Sequence, residues 1–130
     1  MAIGHQRRAE LASTLVADVP EAMKQRYNAL AHKLPALLRT NGLVQVMAFL
    51  LAKAGGKDAN TSAERRLAEQ IGKHLQAAKQ VKDGARVEDV HAVVMKASYT
   101  DYLRMQEEAV ACAAWHKRFA AARFGDVEED

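Results

Sequence analysis

The chain has 130 residues, of which 49% are hydrophobic and 27% charged, a composition typical of one globular domain that excludes a collagen-like or intrinsically disordered protein. No apolar run reaches the roughly 20 residues of a transmembrane helix, and the single cysteine, Cys112, excludes an intramolecular disulfide and a thiol-rich zinc site. The formal net charge is +3, but four of the 16 acidic side chains lie in the last five residues, and residues 1–125 alone carry +7, from 19 basic and 12 acidic side chains.

The N-terminal residues carry positive charge with no apolar stretch behind it, so we expect no signal peptide and a cytoplasmic location. Residues that favour helices dominate the chain, and the alternation that marks strands is nearly absent. We therefore predict an all-α protein, with a single-domain bundle of about six helices over residues 1–125 and an acidic C-terminal tail over residues 126–130.

The first predicted helix runs from about Gln6 to Asp18, where apolar residues recur at a four-residue spacing. Pro20 suits the first turn of a second helix, because that turn needs no amide donor at its start. Leu34-Pro35 is expected to interrupt the second helix, since proline lacks the donor and disfavours a helical conformation in the residue before it.

A nearly continuous apolar segment follows Asn41-Gly42. We expect Asn41 to cap a third helix rather than to form a hairpin turn, because no strand-like alternation flanks it. The helix that begins near Leu43 is apolar almost all round, which predicts a position in the middle of the bundle. A glycine pair at residues 55–56 ends it in a polar loop.

The fourth helix begins at a predicted capping box, in which Thr61 accepts a hydrogen bond from the third amide and Glu64 reaches back. It is expected to run to about Lys82, with apolar side chains on one side and basic side chains on the other. The apolar stripe consists of Leu67, Ile71, Leu75 and Ala78, and the basic face carries Arg65, Arg66, Lys73 and Lys79.

Three valines, Val87, Val90 and Val94, predict a short fifth helix, and a long sixth helix is capped by Ser98. This last helix carries two apolar stripes. One consists of Met105, Ala109, Cys112, Trp115 and Phe119, and the other of Tyr99, Leu103, Val110, Ala114 and Ala121. A helix with two apolar sides needs two neighbours, so either it is the central element of the bundle or one stripe contacts another protein chain.

The sequence offers no constellation for catalysis. The five histidines never occur at the H-x-x-x-H spacing that places two metal ligands on one helix face, so we interpret each as a surface or boundary residue. Cys112 lies in an apolar stripe, where desolvation raises the pKa of a thiol and opposes nucleophilic chemistry. Glu107 or Glu108 is expected to pair with Arg104 on the helix surface. We predict no enzymatic activity, metal, cofactor, small-molecule substrate or membrane contact.

The remaining feature of the sequence is a set of basic side chains that are predicted to lie on the surface. Arg65, Arg66 and Lys73 face away from the apolar stripe of the fourth helix, and Lys117 and Arg118 lie between two aromatic residues of the last. A basic body attracts polyanions, and contacts to phosphates would hold a nucleic acid without reading its bases. An ordinary solvated face is an equally good interpretation of the same charges.

Two stretches resemble a known family. Residues 34–53 contain Leu-Pro, then Asn-Gly-Leu, a glutamine and Ala-Phe, and end in a lysine; later come Tyr102, Glu108, Trp115 and the segment Lys-Arg-Phe-Ala at residues 117–120. In this order and at this spacing, the residues are similar to the small all-helical subunit of the type III-B CRISPR RNA-targeting (Cmr) effector complex. His116 departs from the expected apolar residue, and Met105-Gln106 from an expected small residue and threonine.

The resemblance implies a non-catalytic RNA-binding subunit that acts in antiviral defence. Copies of such subunits stack into a filament beside the backbone subunits that hold the crRNA, and they help to hold the target RNA. By position, the resemblance implies that Asn41, Gly42 and Leu43 shape a helix junction, that Trp115 and Phe119 pack the core, and that Lys53, Lys117 and Arg118 touch RNA or a neighbouring subunit. For Arg65, Arg66 and Lys73, the expectation of RNA contact rests on surface charge alone.

The main alternative is a helical protein–protein adaptor or regulator without nucleic-acid binding, in which exposed apolar stripes matter and the charges are merely solvated. A helix-turn-helix DNA-binding protein is a weaker alternative. The helix after Asn41-Gly42 is too apolar to lie in a major groove.

Overall fold

The computed structural model describes residues 4–127. This part of the chain forms six α-helices and one short 3-10 helix, with no strand among residues 4–127. The elements are α1 (Gly4–Ala17), the 3-10 helix (Glu21–Met23), α2 (Lys24–Asn41), α3 (Leu43–Ala54), α4 (Ala63–Ala77), α5 (Val87–Lys96) and α6 (Tyr99–Phe124). The all-helical prediction is confirmed. Of the predicted acidic tail, residues 128–130 lie outside the described part.

The long helix α6 organises the bundle, because α1, α2 and α4 all pack along it. It runs antiparallel to α2: Asn28 near the start of α2 donates a hydrogen bond to the carbonyl of Gly125 (2.9 Å), while Gln106 near the start of α6 donates to the carbonyl of Leu38 (2.8 Å). Helix α6 is thus the central element of the bundle, one of the two alternatives that its two apolar stripes left open, but Tyr99 and Leu103 of the second stripe remain exposed.

The helices α3 and α4 form the other half of the bundle, with α5 packed across both. The expected central position of α3 is wrong. Leu43, Met47 and Leu50 are buried, but the opposite side of the helix is exposed, and Phe49 is 43% exposed. The reason is that α2, α4, α5 and α6 all approach α3 from one side, so its apolar character exceeds what the fold buries.

The second helix does not break at Pro35. It continues from Lys24 to Asn41 through the proline, because Leu34 and Leu38 on either side are fully buried and hold the segment in place. Asn41 is the last residue of α2 rather than the cap of α3, and its side-chain amide donates back to the carbonyl of Leu37 (3.3 Å). The capping prediction for Asn41 is therefore wrong.

The fourth helix begins and ends at residues other than those predicted. Its cap is Ser62, whose hydroxyl accepts from the amide of Arg65 (3.0 Å), and not Thr61. The helix ends at Ala77, five residues before Lys82, because Lys79 adopts a left-handed conformation (φ 63°) and the amide of Gln80 reaches back to the carbonyl of Leu75. Glycine usually occupies such a position, so the sequence carried no signal for this end.

Candidate nucleic-acid interface

Two of the predicted binding residues, Lys117 and Arg118, lie in an open groove between α2 and α6. We call it the α2–α6 groove, and it has a volume of about 640 Å³. Its walls are His32, Pro35 and Arg39 from α2 and Ala114, Lys117, Arg118 and Ala121 from α6, with Asp126 and Val127 at one end. The wall residues recur at three- and four-residue spacings on both helices, so each helix contributes one continuous face.

The groove continues along α2 into a second section of about 670 Å³. This section shares His32, Pro35, Arg39, Lys117 and Val127 with the first and adds Lys33 and Thr40 among its lining residues. Lys33 was not singled out from the sequence, because only the antiparallel packing of α2 on α6 brings it to the same surface as Lys117. The periodicity of one helix does not indicate which residues of a second helix lie beside it.

The cations of this groove are available for a ligand. Arg39, Lys117 and Arg118 form no ion pair with any carboxylate of residues 4–127. The guanidinium of Arg118 lies 5.1 Å from the centre of the Trp115 ring, a cation–π contact that holds the arginine against the helix surface.

Trp115 and Phe119 lie nearer the surface than the core packing that we expected. Their rings stack on each other at 5.8 Å, and both are only partly buried. Phe119 packs against the edge of the core cluster, whereas Trp115 stands outside it. On this turn of α6 the buried positions belong to His116 and Ala120 instead, because the helix face that meets α2 and α4 is shifted by one residue.

Two of the predicted cations on α4, Arg65 and Arg66, make contacts within the chain. Arg65 bridges Glu69 (2.8 Å) and Glu88 (2.5 Å), and its side chain is only 19% exposed. These ion pairs raise the pKa of the Arg65 guanidinium and join α4 to the start of α5. Arg66 donates from Nε to the carbonyl of Ala59 (2.9 Å), which closes the loop before α4.

The two remaining predicted cations lie apart from the groove. Lys73 lines a separate cleft of about 380 Å³ between α4 and α5, together with Arg65 and Arg86. The ammonium of Lys53 lies 5.9 Å from the centre of the exposed Phe49 ring at the end of α3. The structure therefore distributes the six predicted residues over several surfaces rather than one.

The junction between α2 and α3 depends on α6. Gly42 adopts a left-handed φ of 85°, and a Cβ at this position would lie 2.9 Å from the hydroxyl of Tyr102. Gln106 accepts a hydrogen bond from the amide of Leu43 (2.7 Å) while it donates to the carbonyl of Leu38. The glutamine that departs from the family pattern therefore ties together the end of α2 and the start of α3.

A buried polar chain crosses the centre of the bundle. The amide of Gln70 donates to the carbonyl of Leu15 (3.2 Å), so its oxygen accepts from the hydroxyl of Tyr27 (2.6 Å). Because that hydroxyl has one proton, it accepts in turn from Nδ1 of His116 (3.0 Å), whose Nε2 then accepts from Nε2 of His74 (2.8 Å). The expectation that every histidine lies at the surface or boundary is wrong for His74 and His116, which are both 2% exposed.

A second buried site surrounds Glu108. Its carboxylate accepts bidentate hydrogen bonds from Arg8 (2.8 Å each) and further ones from Arg7, and the thiol of Cys112 donates to it (3.2 Å). Burial opposes the charge, but the hydrogen bonds and the two arginine charges outweigh it and lower the pKa of Glu108. The sequence offered Arg104 as a partner for Glu107 or Glu108 and gave no sign of the partners that Glu108 has, because Arg7 and Arg8 lie about a hundred residues away.

Burial and the neighbouring carboxylate of Glu108 together raise the pKa of the Cys112 thiol, as expected for a cysteine in an apolar stripe.

Within residues 4–127, no group of three or more His, Cys, Asp or Glu side chains is placed to hold a metal ion. No helix in the same range combines the length and the apolar character needed to cross a membrane.

Apolar side chains are exposed where α5 passes into α6. Val93 and Met95 on α5 are 44% and 55% exposed, and Tyr99 and Leu103 on α6 are 78% and 42% exposed. Val93 and Met95 flank the buried Val94 and so lie on opposite sides of α5, whereas Tyr99 and Leu103 lie one turn apart on one face of α6. We call Tyr99 and Leu103 the α5–α6 apolar patch. Tyr99 and Leu103 begin the second predicted stripe of α6, whose later members Ala114 and Ala121 line the α2–α6 groove.

Comparisons with known proteins agree with a small all-helical domain. The sequence matches the family described as "CRISPR-associated protein (Cas_Cmr5)" over residues 4–123. It is 34% identical over 96 residues to "CRISPR system Cmr subunit Cmr5" of Thermus thermophilus, a match that covers 74% of this chain and 73% of the relative. The crystal structure of a CRISPR-associated Cmr5 family protein, also from Thermus thermophilus, superposes with a TM-score of 0.74 and 30% identity, covering 94% of this chain and 97% of that one.

These matches define a small all-helical subunit of a CRISPR assembly. The chain belongs to the Cmr5 family, the small subunits of the type III-B Cmr complex. The resemblance expected from residues 34–53 and from the end of α6 is confirmed.

Proposed function

We propose that this Cmr5 subunit is a non-catalytic, cytoplasmic structural component of the Cmr effector, which holds target RNA along the α2–α6 groove while it stacks beside the backbone subunits and copies of itself. The observation that carries the proposal is the set of cations in that groove. Arg39, Lys117 and Arg118 converge from two helices and have no carboxylate partner in residues 4–127.

A groove of this kind suits a phosphate backbone. Its cations are spaced along two antiparallel helices, so they can follow a strand rather than grip a single anion. Three of its lining residues, Pro35, Ala114 and Ala121, have small side chains, which leave room for the strand. The Trp115 ring already stacks on Arg118 and Phe119, so it is not free as a platform for bases. Contacts would therefore be to phosphates and independent of sequence.

The stacking part of the proposal is supported by the α5–α6 apolar patch. Large apolar side chains left exposed side by side on a small domain are typical of surfaces that another protein covers. Lys53 and Lys73 are exposed and lie outside the groove, and we assign them to contacts with neighbouring subunits. Arg65 and Arg66 are left out of the proposed RNA surface, since Arg65 pairs with Glu69 and Glu88 and Nε of Arg66 donates to the carbonyl of Ala59.

The absence of catalysis is proposed from the positions of the reactive groups. The thiol of Cys112 and the imidazoles of His74 and His116 are buried, and burial opposes the charged form of each. None of the three groups lines the α2–α6 groove. A strand in the groove would therefore not reach them.

A matched pair of triple variants tests the RNA role in the reconstituted effector complex. R39Q/K117Q/R118Q removes three cations from the groove, and K57Q/K82Q/R104Q removes three exposed cations elsewhere. We expect both variants to assemble with the other Cmr subunits, and only the groove variant to retain less target RNA. Because about 0.7 counterions are released per single-strand phosphate, the log–log salt slope of RNA retention should flatten by roughly 2 in the groove variant.

Equal RNA retention by the two variants would contradict the groove as the RNA surface. If neither variant differed from the unmodified complex, while substitution of the α5–α6 apolar patch abolished assembly, the subunit would act as an adaptor between proteins without nucleic-acid contact.

A further inference from the structure

His32 lies in the wall of the α2–α6 groove, and a hydrogen bond to its own helix fixes the ring. The residue is partly buried and lines both sections of the groove. Its Nδ1 lies 2.9 Å from the carbonyl oxygen of Asn28, one turn earlier in α2. Because a carbonyl oxygen can only accept, Nδ1 of the neutral imidazole carries the proton and donates it. The other ring nitrogen, Nε2, therefore keeps a lone pair.

The lone pair on Nε2 is available to a ligand. Nε2 has no hydrogen-bond partner among residues 4–127, and it is not one of the buried side-chain atoms that lack a partner. It is therefore accessible to solvent, on a ring that lines the groove. His32 and Arg39 share one face of α2, about 10 Å apart along the helix axis, so both can contact the same strand.

The charged side chains on the two helices that form the groove can only donate hydrogen bonds. They are Lys33, Arg39, Lys117 and Arg118. Among the other described lining residues, the carboxylate of Asp126 accepts, but its charge repels a phosphate. Thr40 and Asn41 carry groups that donate as well as accept. His32 thus supplies a neutral acceptor, held in one orientation, to a groove made mainly of donors.

We propose that Nε2 of His32 accepts a hydrogen bond from a ribose 2′-hydroxyl of the strand in the α2–α6 groove and thereby makes the groove selective for RNA over DNA. The inference rests on the function proposed above and adds a contact to the sugar. Phosphate oxygens can only accept, so they suit the cations of the groove but not a lone pair. The 2′-hydroxyl is the hydrogen-bond donor of the sugar–phosphate backbone, and DNA lacks it.

Three variants of the full-length protein test the contact. H32F keeps an aromatic ring of similar size in the wall but has no lone pair. H32Q offers an amide oxygen near the position of Nε2. The control is H91F, which also replaces a partly buried histidine whose ring bonds to a backbone carbonyl, that of Val44 (3.1 Å). His91 lines neither section of the groove.

The first readout is a long-range ¹H–¹⁵N NMR spectrum of the histidine rings in the unmodified protein without nucleic acid. We expect the proton of the neutral His32 ring on Nδ1. The second is the affinity at low salt, measured by fluorescence anisotropy, for a single-stranded oligouridine and for its 2′-fluoro analogue. The analogue has the same charge and a similar sugar conformation but no hydroxyl proton.

We expect the unmodified protein and H91F to bind oligouridine about fivefold more tightly than the analogue, the effect of one neutral hydrogen bond. H32F should bind the two alike, with its affinity for the analogue unchanged, and H32Q should retain part of the preference. The groove variant R39Q/K117Q/R118Q should bind both oligonucleotides more weakly, because it loses phosphate contacts that do not depend on the sugar.

A proton on Nε2 of His32 in the free protein would overturn the proposal. A preference for oligouridine that persists in H32F, or that H91F also loses, would overturn it as well. Equal affinities of the unmodified protein for the two oligonucleotides, both weakened in the groove variant, would reject the sugar contact and leave the RNA-binding groove standing. If neither oligonucleotide bound the unmodified protein, the failure would fall on the RNA-binding role, and the sugar contact would be rejected with it.

Discussion

Nε2 of His74 and Nε2 of His116 lie 2.8 Å apart in the centre of the bundle, joined by a hydrogen bond between two neutral imidazoles. The direction of the neighbouring bonds assigns the shared proton to His74 and the lone pair to His116. The pair joins α4 to α6, and through Tyr27 and Gln70 it extends to α2 and α1. A proton added to His116 Nε2 would remove the acceptor on which this connection depends.

The histidine pair predicts that acid destabilises the fold before the carboxylates titrate. Burial lowers the pKa of both imidazoles from 6.5, to about 4 for His74. Between about pH 6.5 and pH 4 the unfolded chain binds protons at these two histidines that the folded chain does not. The contribution of the pair to the free energy of unfolding therefore falls as the pH drops below about 6.5 and is constant above it. Each histidine contributes a slope on the order of 1 kcal/mol per pH unit. Urea denaturation across this pH range measures the slope.

Two variants test whether the buried histidine pair causes the loss of stability in acid. His74→Gln should flatten the dependence between about pH 6.5 and pH 5, whereas His5→Gln, at an exposed position, should leave it unchanged. A free energy of unfolding that does not vary over this range in the unmodified protein would show that the two imidazoles are not buried in neutral form.

Glu108 is expected to be the carboxylate whose loss costs most stability. Glu108→Gln removes the charge that faces Arg7 and Arg8, whose side chains are 36% and 27% exposed. Because solvent partly compensates these arginines, we expect a loss of about 2 kcal/mol rather than the larger cost of a fully buried pair. The adjacent Glu107→Gln, at an exposed site, should change the urea midpoint little. Equal effects of the two substitutions would mean that the ion pairs across α1 and α6 are not formed in solution.

Gly42 allows a prediction that separates backbone strain from steric clash. Gly42→Ala places a methyl group 2.9 Å from the Tyr102 hydroxyl at a φ of 85°, whereas Gly84→Ala has a similar φ of 77° with no atom within 4 Å. We expect Gly84→Ala to cost about 1 kcal/mol from strain alone and Gly42→Ala about 2 to 3 kcal/mol. Thermal or urea unfolding of both proteins checks the difference. Equal costs would indicate that Tyr102 moves away freely and does not brace the junction.

The helices themselves could be predicted from local pattern. Leu67, Ile71 and Leu75 of the predicted α4 stripe and the three valines of α5 are all buried, none of them more than 4% exposed. The fourth predicted member of the stripe, Ala78, lies beyond the end of α4 and is only partly buried. These predictions succeed because a 3.6-residue repeat depends on neighbours in sequence alone. The same local reasoning failed at Pro35 and at Lys79, where packing on α6 in one case and a left-handed residue without glycine in the other override propensity.

The site was predictable only in part, because its members come together over long sequence distances. Lys117 and Arg118 could be recognised as exposed cations on one helix, but Arg39 joins them through the packing of α2 on α6. Arg65 carries the same charge in the sequence, and only the fold shows that Glu88 has taken its donors. Local pattern identifies the charge and a near partner such as Glu69, while a partner distant in sequence, such as Glu88 at a separation of 23 residues, is visible only in the fold.

The most direct test of the central claim is photochemical RNA–protein cross-linking in the assembled Cmr complex with bound target RNA, followed by mass spectrometry of the cross-linked peptides of this subunit. The account predicts cross-links to the peptides that carry Lys33 and Arg39 of α2 and Lys117 and Arg118 of α6, the residues that line the α2–α6 groove. Cross-links confined to the cleft between α4 and α5, or their absence from this subunit in a complex whose other subunits do cross-link, would contradict it.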